Sequence, residues 1–423
     1  MRVYRGLKLG CWVMPVVLIL AVMLHPLGVR AKVYIDITSP GGKLVPVAIL
    51  MKGDPDAKRV EEVVKKDLEL YGLFKVLNPK VFITDTFTKD NFKDWRFIGA
   101  EILVVAHGGT TNGRFSLEAR VYDVVEGKEI LARKYSIRRE AKDLVGMRLA
   151  DDIFTAFTGE EGIFYGSVVL SVKTRPGVKE LGIISPDGSS FQILTHDNSI
   201  NLSPAWSPDG KWVAYTSFKR GEADLYLLEV ATGIEKVLSK RKGAEISPSW
   251  SPDGTQLAFS YSLNGNSDIY IKDLITGYTK RITRNPAIDT SPAWSPDGRK
   301  IAFVSRRSGA PHIYVMNTDG SDQTRLTFGP YEVSPAWSPK GDKLAYVSVE
   351  GGKILIHVLD MKTGNSKVVV QGEDPCWSPN GRYIMFFKGE GGRRTLYLTT
   401  EDGNGIVKVR RLNGSDPCWR SLN

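Results

Sequence analysis

The residues able to do chemistry in this chain are few and scattered. Five histidines occur, and none has a serine or an aspartate at a known catalytic spacing: His25, His107, His196, His312 and His357. No G-x-S-x-G segment is present that would place a nucleophilic serine on a sharp turn. Gly108 and Gly109 lack the lysine and hydroxyl residue of a phosphate-binding loop. We therefore expect no catalytic residues and interpret the chain as a binding protein.

Candidate metal and redox residues are equally isolated. Asp209, Asp253 and Asp297 each stand alone in a Pro-Asp-Gly turn, whereas a calcium loop supplies several carboxylates. No group of cysteines and histidines has zinc-ligand spacing. Cys376 and Cys418 each precede a repeated tryptophan, so their side chains should point the same way and not form a disulfide. We expect no metal, no cofactor and two free thiols.

One eight-residue motif recurs along the C-terminal two thirds of the chain. It reads SPAWSPDG at Ser203–Gly210, and close variants stand at Ser247–Gly254, Ser291–Gly298, Ser334–Gly341 and Asp374–Gly381. The tryptophan of the motif and one further tryptophan near the C-terminus are 40 to 44 residues apart. That period, with four short strands per unit, is typical of a β-propeller blade. Such regular recurrence favours a packing role for the tryptophans over a ligand-stacking role.

The first and last repeats complement each other. Three predicted strands open the series without the tryptophan strand that should precede them: Ser167–Lys173, Glu180–Ser185 and Phe191–Thr195. The last repeat is such a tryptophan strand alone, at Asp416–Ser421. Joining the two completes a blade and removes an exposed sheet edge. Residues 163–423 are therefore predicted to form a six-bladed propeller closed by the C-terminal strand.

Residues 32–160 have a different pattern and are predicted to form an α/β domain. Asp54 and Pro55 provide an N-cap and a proline at the first helical position, and Gly72 ends the helix. A second helix is predicted from about Lys142 to Phe157. Predicted strands are Val33–Ile37, Val45–Met51, Phe74–Leu77, Ile102–Ala106, Phe115–Val124 and Ile130–Ile137.

Residues 1–31 have the composition of a secretory signal peptide. Three basic residues precede the apolar run Cys11–Leu24, and we predict cleavage after Ala31. The alternative is an uncleaved anchor, which the shortness of the apolar run disfavours. Cleavage removes four basic and no acidic residues, so the net charge falls from +10 to +6. That surplus is too small to indicate a nucleic-acid partner.

Three segments together resemble the TolB family of the bacterial Tol-Pal system. They are the repeated SPAWSPDG units, the junction ADDIFTAFTGEEGIF at Ala150–Phe164, and the segment VYIDITSPGGKLVPVAIL at Val33–Leu50. The likeness covers nearly everything after the signal. It implies a periplasmic, non-enzymatic adaptor, monomeric alone, that maintains the outer membrane and supports its invagination at cell division.

The resemblance also implies two protein partners. A Pal-like peptidoglycan-associated lipoprotein would bind the propeller, and a TolA-like inner-membrane protein would bind the mature N-terminus. The residues implied for TolA are Val33, Tyr34, Ile35, Asp36 and Ile37. The alternative left open is a periplasmic propeller that binds a small molecule or a glycan and has hydrolase activity.

The loops that lead into the innermost strands should ring the mouth of the propeller channel. Each carries an acid: Asp197, Glu245, Asp289, Glu332, Asp374 and Asp416. Loops farther out carry basic residues: Lys219, Arg220, Arg306, Arg307, Arg393 and Arg394. We therefore expect an acidic inner mouth with basic patches outside it. On the family resemblance we place the Pal contacts at Ala244, Glu245, Ser247, Asp289, Thr290 and Glu332.

Overall fold

The computed structural model describes residues 43–239 and 241–420. The predicted signal peptide, residues 1–31, and the strand predicted at Val33–Ile37 lie outside the described residues. Among the helices that are described, none is long and apolar enough to cross a lipid bilayer.

The N-terminal part is a five-stranded sheet with two long helices on one face. Its elements are β1 (Val45–Gly53), α1 (Pro55–Leu70), β2 (Phe74–Val76), α2 (Phe92–Phe97), β3 (Ile102–Thr111), β4 (Arg114–Asp123), β5 (Lys128–Arg138) and α3 (Asp143–Thr158). The sheet order is β2-β1-β3-β4-β5, and only β1 is paired in parallel, with β2 and β3. The Asp54 carboxylate accepts a hydrogen bond from the Ala57 N–H at 3.0 Å and caps α1, as the sequence predicts.

The second face of this sheet is covered by a segment that the sequence pattern did not assign. Trp95 of α2 is buried there against Ala48, Leu103 and Tyr122. A helix of six residues is too short to show a helical period of apolar residues, so the sequence pattern did not predict it.

The rest of the described chain forms six four-stranded blades. Blade 1 contains β6 (Val168–Arg175), β7 (Val178–Ile184) and β8 (Phe191–Ile193); blade 2, β9 (Asn201–Trp206), β10 (Trp212–Ser217), β11 (Asp224–Glu229) and β12 (Glu235–Val237); blade 3, β13 (Ala244–Trp250), β14 (Gln256–Leu263), β15 (Asn266–Asp273) and β16 (Thr279–Arg281). Blade 4 contains β17 (Asp289–Trp294), β18 (Lys300–Ser308), β19 (Ala310–Asn317) and β20 (Thr324–Arg325); blade 5, β21 (Glu332–Trp337), β22 (Lys343–Glu350), β23 (Lys353–Asp360) and β24 (Ser366–Gln371); blade 6, β25 (Glu373–Trp377), β26 (Tyr383–Glu390), β27 (Arg393–Thr400) and β28 (Val407–Arg411). The α/β fold followed by a six-bladed propeller is confirmed.

The ring is closed by a strand from the far end of the chain. Strand β29 (Gly414–Trp419) is antiparallel to β6 and supplies the innermost strand of blade 1. The ladder pairs Gly414 with Val172 and Trp419 with Val168. The predicted closure by the C-terminal strand is therefore confirmed.

The repeated tryptophans pack one blade against the next. Trp206, Trp294, Trp377 and Trp419 are buried, and three indoles donate to a carbonyl of the preceding blade. These bonds run from Trp250 to Ala205 at 3.1 Å, Trp337 to Ala293 at 3.1 Å and Trp377 to Ala336 at 3.0 Å. The packing interpretation of the tryptophans agrees with this geometry.

The two cysteines also point around the ring in the same sense. The sulfur of Cys376 in blade 6 accepts from the Trp419 N–H of blade 1 at 3.0 Å. The sulfur of Cys418 in blade 1 in turn faces the Trp206 N–H of blade 2. Each sulfur thus faces the next blade, and both thiols are free.

A buried aspartate joins the N-terminal part to the propeller. Asp151 of α3 accepts hydrogen bonds from the Tyr71 hydroxyl at 2.5 Å and from the N–H groups of Phe164 and Tyr165. Burial raises the pKa of Asp151 to about 6, although these bonds oppose the shift. A Cβ at Gly162 would lie 2.4 Å from the Asp151 carboxyl carbon, so the junction needs a glycine there.

The N-terminal part packs on the blades at the closure seam. Tyr383 of blade 6 donates to the Tyr71 carbonyl at 2.8 Å, and Lys66 of α1 donates to Asp187 of blade 1. One continuous apolar core includes Phe154 of α3 and Trp419 of β29. The two parts are therefore held by a shared core and not by surface contacts alone.

Deletion of residues 414–423 should destabilise the whole propeller. The deletion removes the ladder between β29 and β6 together with Trp419, and loss of a buried aromatic side chain alone costs about 3–5 kcal/mol. Urea unfolding should give a lower free energy and a lower midpoint than the full chain. A control truncated after Ser421 keeps β29 and should unfold as the full chain does; equal stability of both truncations would contradict the closure.

Asp67→Asn should stabilise the protein increasingly as pH rises. Asp67 of α1 is fully buried, and burial, with Asp187 and Asp151 nearby, raises its pKa from 3.8 to about 9. Between those pH values the folded state holds a proton that the unfolded state has lost, so stability falls by up to about 1.4 kcal/mol per pH unit. Asparagine cannot ionise and removes this dependence.

Urea unfolding at about pH 4 and about pH 8 measures the effect. The gain over the wild type should be small at the lower pH and larger at the higher one. Glu69→Gln, an exposed substitution on the same helix, is the matched control and should show no such trend. A gain that is independent of pH would contradict the assignment.

Candidate functional site: the open face of the propeller

The two faces of the propeller differ in what covers them. The turns between the first and second strands of a blade, and between the third and fourth, lie on one face. On that face Asn380 of blade 6 donates to the Glu161 carbonyl at 2.8 Å and Lys66 contacts Asp187 of blade 1. The opposite face, which we call the open face, consists of the remaining loops and carries the mouth of the channel.

The channel is lined by one Ser-Pro or Asp-Pro pair from each blade. The six residues before proline have φ between 50° and 56°: Ser203, Ser247, Ser291, Ser334, Asp374 and Asp416. A positive φ is rare for residues other than glycine, and here it coincides with a register shift in each innermost strand. The six pairs line a cavity of about 180 Å³.

The three acids predicted as Pal contacts are buried. Asp289 accepts from the Arg307 guanidinium at 3.0 Å. Glu332 accepts from the Gly329 N–H at 2.7 Å and lies 2.8 Å from His312 Nδ1. Burial raises the pKa of the Glu245 carboxyl. The expectation that these acids form an acidic mouth surface is wrong, because all three are buried in the blades.

The remaining acids of the loops are half-buried and mostly paired. Asp197 lies 3.3 Å from Lys219, and Glu373 lies 2.6 Å from Arg394. Asp374, in the channel wall, has its pKa raised to about 7 by burial and by the neighbouring Asp416 and Glu373 carboxylates. Some of the basic residues predicted to lie outside the acids therefore neutralise them.

The neutral members of the predicted Pal site are partly accessible. Ala244 and Thr290 begin the innermost strands of blades 3 and 4, and Ser247 lines the channel. The Thr290 hydroxyl is 3.1 Å from that of Ser260 and is held in place by it. The structure thus brings Ala244, Ser247 and Thr290 to one side of the mouth. The residues predicted for TolA, Val33 to Ile37, lie outside the described residues.

Sequence reasoning missed the apolar side chains of the open face. Phe328 is 76% exposed, and Tyr331 in the same loop and Ile288 in the neighbouring loop are each 38% exposed. The Arg325 guanidinium lies 4.8 Å from the centre of the Phe328 ring. The sequence predicts that Phe328 lies in a loop, but the exposure of its side chain depends on the loops around it.

Comparisons with known proteins cover both parts of the chain. The TolB beta propeller domain model matches residues 154–423, and the TolB amino-terminal domain model matches residues 33–130. The Tol-Pal system protein TolB of Desulfosudis oleivorans is 34% identical over 221 residues, 49% of this chain and 50% of that protein. The same protein of Dechloromonas aromatica is 35% identical over 218 residues, 51% of each chain. The chain spans about half the length of the curated relatives it matches.

A solved structure extends the likeness over most of the described molecule. TolB from Acinetobacter baumannii superposes with a TM-score of 0.83 at 28% identity, over 90% of this chain and 97% of that one. The propeller model alone accounts for more than half of the present sequence. On the matched domains and the shared architecture, this chain belongs to the TolB family.

Proposed function

We propose that this chain is a periplasmic, non-enzymatic adaptor of the Tol-Pal system, exported by a signal peptide at residues 1–31. Residues 32–160 are its N-terminal domain, residues 163–423 its propeller, and the protein is monomeric alone. It binds a Pal-like lipoprotein and a TolA-like inner-membrane protein, and so supports outer-membrane integrity and invagination at division. The observation that carries the proposal is a closed propeller, in a chain of this family, that the N-terminal part contacts on one face at blades 1 and 6. Within the described residues, the other face receives no hydrogen bond or ion pair from that part.

The open face is the proposed Pal site. Ala244, Ser247 and Thr290 are small, partly accessible and lie at the mouth, so a partner can approach the strand ends closely. Asp289 and Glu332 support that surface from below, because they bind Arg307 and the Gly329 N–H and so fix the loops, and Glu245 is buried beside them in blade 3. A rigid surface of this kind costs little conformational entropy on binding.

The mature N-terminus is the proposed TolA site. Residues 33–37 read Val-Tyr-Ile-Asp-Ile, an alternating segment rich in β-branched residues. Such a segment adds to the edge of a partner's sheet through main-chain hydrogen bonds. Pal and TolA would then occupy different parts of the chain, which is what an adaptor requires.

Ala244→Tyr should weaken Pal binding without unfolding the protein. The added ring stands where a partner would contact the mouth, and we expect the Kd to rise about tenfold or more. Calorimetric titration with the soluble domain of a Pal-like lipoprotein measures it, and a thermal melt checks the fold. Ala231→Tyr, in an exposed turn of the opposite face, is the control and should bind as the wild type does. Equal affinity of both variants would place the Pal site elsewhere.

Deletion of Lys32–Ile37 should abolish binding to a TolA-like C-terminal domain, because it removes the strand that pairs with that domain. Pal affinity should stay the same or increase. Surface plasmon resonance with each partner gives both readouts. The control replaces Thr38–Gly42 with serines, leaves residues 32–37 in place and should retain TolA binding. Unchanged TolA affinity after the deletion would refute this part of the proposal.

A further inference from the structure

The exposed charges of the open face are mostly basic. Among the described residues of its loops and of the strand ends that adjoin them, ten exposed side chains are basic: Lys173, Arg175, Arg220, Arg241, Lys242, Arg284, Arg306, Lys353, Arg393 and Arg411. The acid exposed there is Glu222, which accepts from the Gly243 N–H at 3.1 Å, while Glu350 and Glu390 are half-buried. We call these ten residues the cationic rim. It includes residues from every blade and surrounds a mouth whose own acids are buried or paired.

Exposed acids are concentrated on the opposite face of the propeller because its turns contain aspartate. In the Ser-Pro-Asp-Gly turns, the aspartate accepts from the serine hydroxyl two residues before it, as Asp209 does from Ser207 at 2.6 Å. Asp253 and Asp297 repeat this bond. Because these turns all lie on the face opposite the rim, the opposite face carries exposed acids. The surplus of basic charge is therefore displayed on the open face.

Apolar side chains stand among the basic residues of the open face on blades 2 to 5, with Ile288, Phe328 and Tyr331 in the inner loops that ring the mouth. Phe328 is the most exposed, and the others are between 37% and 45% exposed: Phe218, Leu263, Ile288, Tyr331 and Ile354. A central aromatic anchor within a charged periphery is the usual anatomy of a protein interface. Most of these side chains are only half exposed between the loops. A protein with a protruding surface can therefore contact them better than a flat lipid bilayer can.

We infer that the Pal-like partner meets the cationic rim with an acidic periphery and receives Phe328 in an apolar pocket. This inference rests on the proposed function and names the chemistry of the partner's surface. Opposite charges around the edge of an interface speed association and fix its orientation, while the apolar centre supplies most of the affinity. The rim, and not the buried acids of the mouth, then steers the encounter.

The test reverses charge on one side of the rim. Lys173, Arg175 and Arg393 are exposed, form no ion pair within the described chain, and lie in the loops of the adjacent blades 1 and 6. The variant Lys173→Glu, Arg175→Glu, Arg393→Glu is compared with a control of equal charge change on the opposite face, Lys211→Glu, Arg299→Glu, Lys362→Glu. Both are checked by thermal melts and titrated with the soluble Pal-like domain at about 0.05 M and about 0.5 M NaCl.

The rim variant should bind about tenfold more weakly at low salt, mainly through slower association, and the difference should shrink at high salt. The control should change less than about twofold. Phe328→Ser should also weaken binding about tenfold, but at both salt concentrations, because its contribution is apolar.

Three results would overturn the inference. Wild-type affinity and salt dependence in the rim variant would remove the rim from the interface while leaving the proposed function in place. Absence of wild-type binding would overturn the proposed function and the inference with it. Charge-dependent binding to phosphatidylglycerol–phosphatidylcholine vesicles, with Pal binding unaffected by the rim variant, would assign the rim to a membrane surface.

Discussion

The pairing of β29 with β6 is the interaction on which the rest of the structure depends. A propeller open between its first and last blades would expose two strand edges and the side chains that face them. Closure places six innermost strands around one axis, and the channel wall follows because each strand contributes one Ser-Pro or Asp-Pro pair. The N-terminal part packs over this seam, where Tyr71, Phe154 and Trp419 share one core. Ring closure and attachment of the N-terminal part are therefore coupled through the same apolar side chains.

The two faces of the ring separate two kinds of polar chemistry. One face carries the Asp-Gly turns, whose carboxylates are occupied by local hydrogen bonds and whose neighbours contact the N-terminal part. On the open face the carboxylates of Asp289, Glu332 and Glu373 contact Arg307, His312 and Arg394. Burying a carboxylate is costly unless it is paired or hydrogen-bonded, so these acids take up the nearest cations and hydrogen-bond donors. The exposed charges that remain on the open face are mostly basic.

The N-terminal part meets the propeller at buried carboxyl groups. The proposed TolA segment precedes β1 in the sequence. Helices α1 and α3 pack on the sheet that contains β1, and these helices also contact blades 1 and 6. Asp67, Asp151 and Asp187 are buried or half-buried where these elements meet, with the pKa values of the first two raised by burial. A shift of the blades at the seam would therefore change the surroundings of these carboxyl groups.

The sequence by itself determined the architecture, because its signals are local and repeat. The tryptophan period, the Pro-Asp-Gly turns and the two incomplete repeats together specify six blades and their closure, and the Asp54 cap with Gly72 specifies α1. Tertiary structure decided which polar groups reach solvent. The sequence predicted Glu245, Asp289 and Glu332 as loop acids but not that they are buried. Asp289 and Glu332 contact Arg307 and His312, which are more than 15 residues away in the chain. The short helix α2 was missed because six residues are too few to show a helical period. The exposure of Phe328 and the cationic rim could not be predicted because solvent exposure is set by packing between segments that are distant in the chain.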